Sequence, residues 1–264
     1  MSRKPQPERN QAPVVQRIRI RYAKRGPMRF SSHRDFARAF ERAILRAGVP
    51  IAYSQGFSPH PKVSYASAAP TGVASEAEYL EIGLRAPVEP AALVAALDAA
   101  LPPGLDVLDA VDASVAGSAS LAERVEASAW RVELVGVGVD DLRSAVTAFL
   151  AASEIPVERL TKQGRRTVDA RGAVLRMTAS ESASTAPYGV SVAPCAILDL
   201  VVRQVTPTVR PDDVLSGLRV VADLTLPVPP RATRLAQGTL TAQSEIVDPL
   251  AVDRGEGVTG VPST

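Results

Sequence analysis

The chain has 264 residues, 46% of them hydrophobic, a mean hydropathy of +0.06 and a formal net charge of +2, the profile of a soluble globular protein with one large or two ordinary domains. No stretch approaches the roughly 20 uninterrupted apolar residues of a membrane span, and the start, MSRKPQPERNQAPVV, lacks the apolar centre of a secretory signal, so a cytoplasmic protein with no membrane contact is expected. The single cysteine, Cys195, lies in the apolar stretch SVAPCAILDL; it excludes an internal disulfide framework and an iron–sulfur cluster ligated by this chain, and it reads as a core residue.

The small net charge hides an asymmetry. Residues 1–65 hold 14 Lys or Arg against 3 Asp or Glu, which leaves 16 against 25 for the rest. One end is suited to polyanions and the other is not.

In chain order, residues 1–14 are polar and proline-bearing and read as a disordered tail. From Val15, VQRIRIRYAKRG alternates with Arg17, Arg19 and Arg21 on one face and Ile18, Ile20 and Tyr22 on the other, the period of a half-buried strand. FSSHRDFARAFERAILRAG predicts a helix. Ser32 and Asp35 have capping-box spacing, Phe36, Phe40, Ile44 and Ala47 form the apolar stripe, Gly48 stops it, and Arg34, Arg38, Arg42 and Arg46 follow at spacing four on the exposed side. VPIAYSQ and KVSYASA predict two short strands around the loop GFSPHP, AEYLEIGL a further strand, EPAALVAALDAALPPG a second helix and LDVLDAVDA a closing strand. The small-residue stretch SVAGSASLAE predicts a linker, after which a similar order begins again: strand AWRVELVGV, helix DDLRSAVTAFLAAS with Asp140 as cap, a hairpin across IPVERLTKQG and RRTVDARGAVLRMTA, strand AILDLVVRQV and helix RPDDVLSGLRVV.

The expected fold is therefore α+β: two tandem ferredoxin-like (βαββαβ) domains, antiparallel sheets with helices on one face. The boundaries are a tail at 1–14, a first domain at 15–115 with the basic face, a linker at 116–127, a second domain at 128–225 and an extended or disordered tail at 226–264.

Three signatures in the first domain carry a resemblance: the helix start FSSHRD, the loop GFSPHPK and the strand GVASEAEYLE. Together they resemble the DUF2344 family, also called the radical SAM-linked protein family, closely over most of the first domain and loosely over the second. Some members look like fusions to a radical SAM enzyme, and stand-alone actinobacterial members tend to be encoded near a ribonuclease E-type gene. The resemblance implies an accessory role in RNA or translation-related chemistry, with a radical SAM enzyme or ribonuclease E-type protein as partner. This chain has none of the CxxxCxxC cysteines of the fused form, so any radical step belongs to another protein and no cofactor is expected here.

Four constellations carry chemistry. Arg17, Arg19, Arg21, Lys24, Arg25, Arg29, Arg34, Arg38, Arg42 and Arg46 form a candidate phosphate track, whose competing reading is a solvated helix face with salt bridges. Tyr22, Phe30, Tyr53, Phe57 and Tyr65 stand beside them; an open sheet face carrying such rings would stack unpaired bases, whereas Tyr22 shares a face with Ile18 and Ile20 and reads as core, and Phe57 on the loop is the better stacker. His33 and His60 are the only histidines. Either would serve a metal-independent RNA-cleaving or RNA-modifying enzyme, as in the CRISPR RNA endonucleases that such tandem domains resemble, against a helix-start and a turn role. Two histidines without cysteines or paired acids do not make a zinc site. Lys162, Arg165, Arg166 and Arg171 surround Asp169, which is similar to the aspartate setting of pseudouridine synthases or is a plain charged hairpin, and Glu76, Glu78 and Glu81 read as a cation site or as acids facing arginines. The expected RNA contact set is Arg29, His33, Arg34, Arg38, Phe57, His60 and Lys62, with arginine and lysine on phosphates, Phe57 stacking and His60 donating to a phosphate or base edge. A protein-docking module for a radical SAM enzyme or ribonuclease is the remaining alternative.

Overall fold

The computed structural model describes residues 12–55, 57–113, 119–161, 164–181 and 194–256. The expected tail ahead of residue 12, the loop glycine at position 56, the linker residues 116–118, Lys162 and the chain beyond 256 lie outside the described residues. The chain divides into two units: the first holds the residues up to Arg124 and a segment from Pro249 onward, the second runs from Val125 to Asp248. The whole is α+β, with antiparallel strands and four helices among the described residues.

The first unit consists of β1 (Gln16–Lys24), a 3-10 turn (Gly26–Phe30), α1 (His33–Arg46), β2 (Val63–Ala66), β3 (Ala74–Leu84), α2 (Pro90–Ala100) and β4 (Leu105–Asp112). Pairing gives the antiparallel order β4–β1–β3–β2. VPIAYSQ makes only isolated bridges, Ile51 to Leu84 and Tyr53 to Pro61, because prolines at 50, 59 and 61 remove the donors a continuous ladder needs. The alternation of β1 delivers Ile18, Ile20 and Tyr22 to a core shared with Phe36, Phe40 and Ile44 of α1, Leu93 and Leu97 of α2 and Leu80 and Ile82 of β3. Tyr22 lies flat on Phe36 with centroids 4.4 Å apart. Each fully buried aliphatic or aromatic side chain of this set contributes about 1.5–3 kcal/mol.

The other face of this sheet is covered. Leu121 and Leu250 pack on Ala66, Ala77, Tyr79 and Val111. Asp253, its side chain fully buried, accepts from Arg19 at 2.8 Å and from Arg124 at 2.6 Å. Residues 119–124, expected in the linker, are thus part of the first unit, as is the segment after Pro249 that was expected to be tail. Segments this short, with three apolar residues each, carry no periodicity that a sequence reading registers.

The second unit consists of β5 (Ala127–Val135), α3 (Val139–Ala151), β6 (Pro156–Thr161), β7 (Gly164–Asp169), β8 (Val174–Glu181), β9 (Cys195–Arg203), α4 (Pro211–Ala222), β10 (Arg231–Leu240) and β11 (Ile246–Val247). Its sheet has the antiparallel order β10–β5–β9–β8, with β11 on β10 and the β6–β7 hairpin as a separate two-stranded ribbon. Strand β10 falls inside the segment expected to be extended or disordered. Its inward positions include Arg234, 3% exposed and stacked on Trp130 at 5.4 Å, and Gln237, 1% exposed; a register shift between Arg234 and Ala236 also breaks the alternation. Helix α3 is capped at Gly138, not by Asp140, which stands in the first turn and pairs with Arg143 at 2.8 Å. Cys195 opens β9 half-buried.

Candidate nucleic-acid interface

The strand arginines already have acceptors within the protein. Arg17 and Arg19 both donate to Glu81, at 2.8 and 2.9 Å, and Arg19 also holds Asp253. Arg21 donates to the Glu76 carbonyl at 2.9 Å, and Arg25 pairs with Glu76 and with Asp106. Lys24 donates to the carbonyls of Ala69 and Pro70. Glu81 therefore neutralises Arg17 and Arg19, and Glu76 neutralises Arg25, the simpler of the two readings of these acids, and Glu78 accepts from the Ala69 amide at 2.9 Å. The ring on this covered face, Tyr79, is buried beneath Leu121 and Leu250. Stacking of bases on an open sheet face, one expectation from the sequence, is overturned by that cover.

The helix arginines are different. Ser32 accepts from the Asp35 amide while Asp35 accepts from the Ser32 amide and hydroxyl, the capping box read from the sequence. These hydrogen bonds, hydroxyl first, hold the Asp35 carboxyl below its ordinary value, with the charges of Arg38 and Arg34 adding to the effect. The cap fixes the helix phase, which buries Phe36, Phe40 and Ile44 and leaves Arg34, Arg38 and Arg42 exposed. None of the three makes an ion pair among the described residues, whereas Arg46 donates to the Ala100 carbonyl. A spacing of four residues places successive guanidinium roots roughly 6 Å apart along the axis, a step comparable to that between successive phosphates of one strand.

The 3-10 turn before α1 presents Arg29 and Phe30. The Ser31 amide and hydroxyl both donate to the Met28 carbonyl, at 3.0 and 2.6 Å, the Gly72 amide donates to the Arg29 carbonyl and the Arg25 amide to the Gly104 carbonyl, both at 2.8 Å, so the turn is fixed at both ends. The Arg29 guanidinium lies over the Phe30 ring, 4.7 Å from its centroid, and its Nε is enclosed without an acceptor. His33 is exposed on the first turn of α1, its ring edge-on to Tyr65 with centroids 4.8 Å apart. Burial, with a smaller push from Glu41, raises the Tyr65 hydroxyl above its ordinary pKa, so it stays a neutral packing partner. Among the described residues, neither imidazole hydrogen-bonds to a carboxylate that would orient it as a base.

The expected loop is a narrow hairpin. The Ser54 amide donates to the His60 carbonyl and the Lys62 amide to the Ala52 carbonyl, both at 2.8 Å, while the His60 amide donates to the Ser54 hydroxyl at 3.0 Å. Phe57 is 68% exposed near its tip, and the His60 side chain is exposed on its return limb. Lys62 precedes β2 beside Gly83, where an added Cβ would lie 3.4 Å from the Lys62 Cβ; Val63 and Tyr65 face the helices, so alternation turns Lys62 the other way. Of the expected contact set, the structure places Arg29, His33, Arg34 and Arg38 along one helix and its leading turn, sets Phe57 and His60 on the hairpin, and turns Lys62 to the opposite pleat. Arg42 lies on the same helix and Phe30 on its leading turn, and neither belongs to that set; their signals are spacing four from Arg38 and an aromatic flanked by basic residues.

In the second unit, Asp169 accepts three backbone amides, from Ile155, Arg171 and Gly172 at 2.9 to 3.0 Å. It is a turn-fixing residue and pairs with neither Arg166 nor Arg171 through their side chains. Arg165 pairs with Glu158 at 3.0 Å, and Arg171 donates to carbonyls of Val174 and Leu150.

Among the described residues no group of three or more His, Cys, Asp or Glu side chains is placed to hold a metal ion, and no helix is long and apolar enough to cross a membrane. A comparison with the curated proteins finds no match. Residues 17–211, most of the first unit and the greater part of the second, match the family described as an uncharacterized protein conserved in bacteria, in agreement with the helix-start, loop and strand signatures. The chain belongs to the DUF2344 family.

Proposed function

We propose that this chain is a cytoplasmic RNA-binding accessory protein, built of two tandem ferredoxin-like domains, that presents RNA to a separate modifying or processing enzyme. The strand orders β4–β1–β3–β2 and β10–β5–β9–β8, each with two intervening helices, support the fold reading. The observation that carries the functional reading is the contrast within one basic segment. Arginines on the strand are matched by carboxylates or carbonyls, and Arg29, Arg34, Arg38 and Arg42 make no ion pair with any carboxylate of the described residues. Arg34, Arg38 and Arg42, solvated on a capped helix, cost little to keep and are ready to exchange counterions for phosphates. His33 donates to the same backbone from the first turn, and Phe57 and His60 offer a second contact from the hairpin. Lys62, on the opposite pleat, is left out of this surface.

The test is filter binding of transcribed RNA to the full chain and to a variant with Arg34→Glu and Arg38→Glu. Both sites are exposed, so folding is retained, and affinity falls at least tenfold if the helix is the binding surface. Equal affinity for both proteins refutes the assignment. A second reading, docking of a radical SAM enzyme or ribonuclease, is favoured by one observation: Leu45, 68% exposed, stands on α1 between Arg42 and Arg46. A partner retained after RNase treatment and lost with Leu45→Glu supports it.

A further inference from the structure

Two phenyl rings among the described residues are exposed, Phe30 at 60% and Phe57 at 68%, and both lie in the basic first quarter of the chain. Phe57 sits near a hairpin tip, whereas Phe30 is locked. The Ser31 amide and hydroxyl and the Gly72 amide fix the turn that carries it, and one residue later the capping box starts α1. No residue of the turn is buried, and Phe30, 60% exposed, does not belong to the core cluster of the first unit. The neighbour that does reach it is a cation. Arg29 lies 4.7 Å from the ring centroid, with Nε enclosed and unpaired, so a full positive charge is fixed against the ring without a carboxylate to cancel it. The helix that follows the turn carries Arg34, Arg38 and Arg42 at spacing four, all three exposed.

We infer that Phe30, backed by Arg29, is a stacking platform for one unpaired base, and that the RNA this surface accepts is single-stranded, with its backbone running along α1. The inference rests on the RNA-binding reading above and adds to it the class of RNA. A π-face accepts any base but only one that is free of a duplex stack, and a helix with cations at one-strand phosphate spacing follows a single backbone. A duplex offers α1 its phosphates and offers Phe30 nothing.

The experiment compares fluorescein-labelled 12-nucleotide oligouridine with a blunt 12-base-pair RNA duplex by anisotropy, for the full chain, Phe30→Ala and Phe30→Trp. Replacing an exposed ring leaves the thermal transition in place, which circular dichroism checks. The single strand binds more tightly to the unaltered chain; Phe30→Ala weakens it on the order of tenfold and Phe30→Trp restores it, while duplex binding and the salt dependence stay unchanged. An oligomer with abasic residues in place of the uridines removes the difference between the unaltered chain and the Phe30→Ala variant. Equal loss on strand and duplex, or no loss on either, overturns the platform while leaving RNA binding intact. Absence of binding by both probes overturns the RNA reading and the platform with it.

Discussion

Asp253 gives the sharpest stability test, because it is a fully buried carboxylate between Arg19 and Arg124, whose side chains are 4% and 7% exposed. Asp253→Ala leaves two guanidinium groups facing a cavity without their shared anion. Removing one partner of a buried pair costs about 3–5 kcal/mol, far more than the net worth of the intact pair. Arg19 keeps Glu81 and the Ala119 carbonyl, and Arg124 keeps the Pro249 carbonyl, which places the loss near the lower end, at ~3 kcal/mol. For a unit of this size that lowers its Tm by on the order of 10 °C. Near-UV circular dichroism of the tyrosines reports mainly on the first unit, which contains Tyr22, Tyr53, Tyr65 and Tyr79, while Trp130 belongs to the second. Hydrogen exchange of β1 and β3 gives an independent readout. Combined Arg19→Met, Arg124→Met and Asp253→Leu recovers most of the loss, because an apolar triad carries no desolvation cost. A shift below about 2 °C in Asp253→Ala would refute the claim that the segment after Pro249 is an integral layer of the first unit.

Acid should weaken the same unit. Burial opposes ionisation of Glu81, but the hydrogen bonds from Arg19 and Arg17, with their charges, outweigh it and hold the carboxyl below its ordinary value of 4.5. A carboxyl depressed in the folded state contributes stability above its unfolded pKa and loses it as pH falls through the folded one, so Tm declines below about pH 4.5, and Glu81→Gln flattens that limb in a pH series of melts. Ser32→Ala removes the α1 cap, costs about 1 kcal/mol and speeds amide exchange in the first turn without altering β3. Unchanged protection at residues 33–36 would show that the cap is redundant.

Much of this was legible from residues alone, for identifiable reasons. The β1 alternation, the Ser32–Asp35 box and the apolar stripe of α1 are local patterns whose period survives folding. What escaped depends on long-range pairing. Arg19 reads as solvent-facing because its partners, Glu81 and Asp253, stand 62 and 234 positions away. Strand β10 hides because it turns Arg234 and Gln237 inward and carries a bulge. Asp169 reads as chemically interesting beside arginines, but the group it serves is the backbone. At the candidate interface, the helix arginines were visible as a spacing; that they stay uncompensated while the strand arginines do not is a property of the folded charge pattern. Phe30 was visible as an aromatic among charges, and its fixed partnership with Arg29 emerges only from the turn geometry.

The central claim is that an uncompensated arginine row on α1 binds the backbone of RNA. The most direct measurement is the salt dependence of oligouridine binding, by anisotropy from low to physiological salt. Four phosphate contacts, by Arg29 of the leading turn and by Arg34, Arg38 and Arg42 of α1, predict a slope of log K against log salt of about −3, and Arg38→Gln reduces its magnitude by roughly 0.7. A slope near zero, or one that Arg38→Gln and Arg34→Gln leave unchanged, would contradict the account.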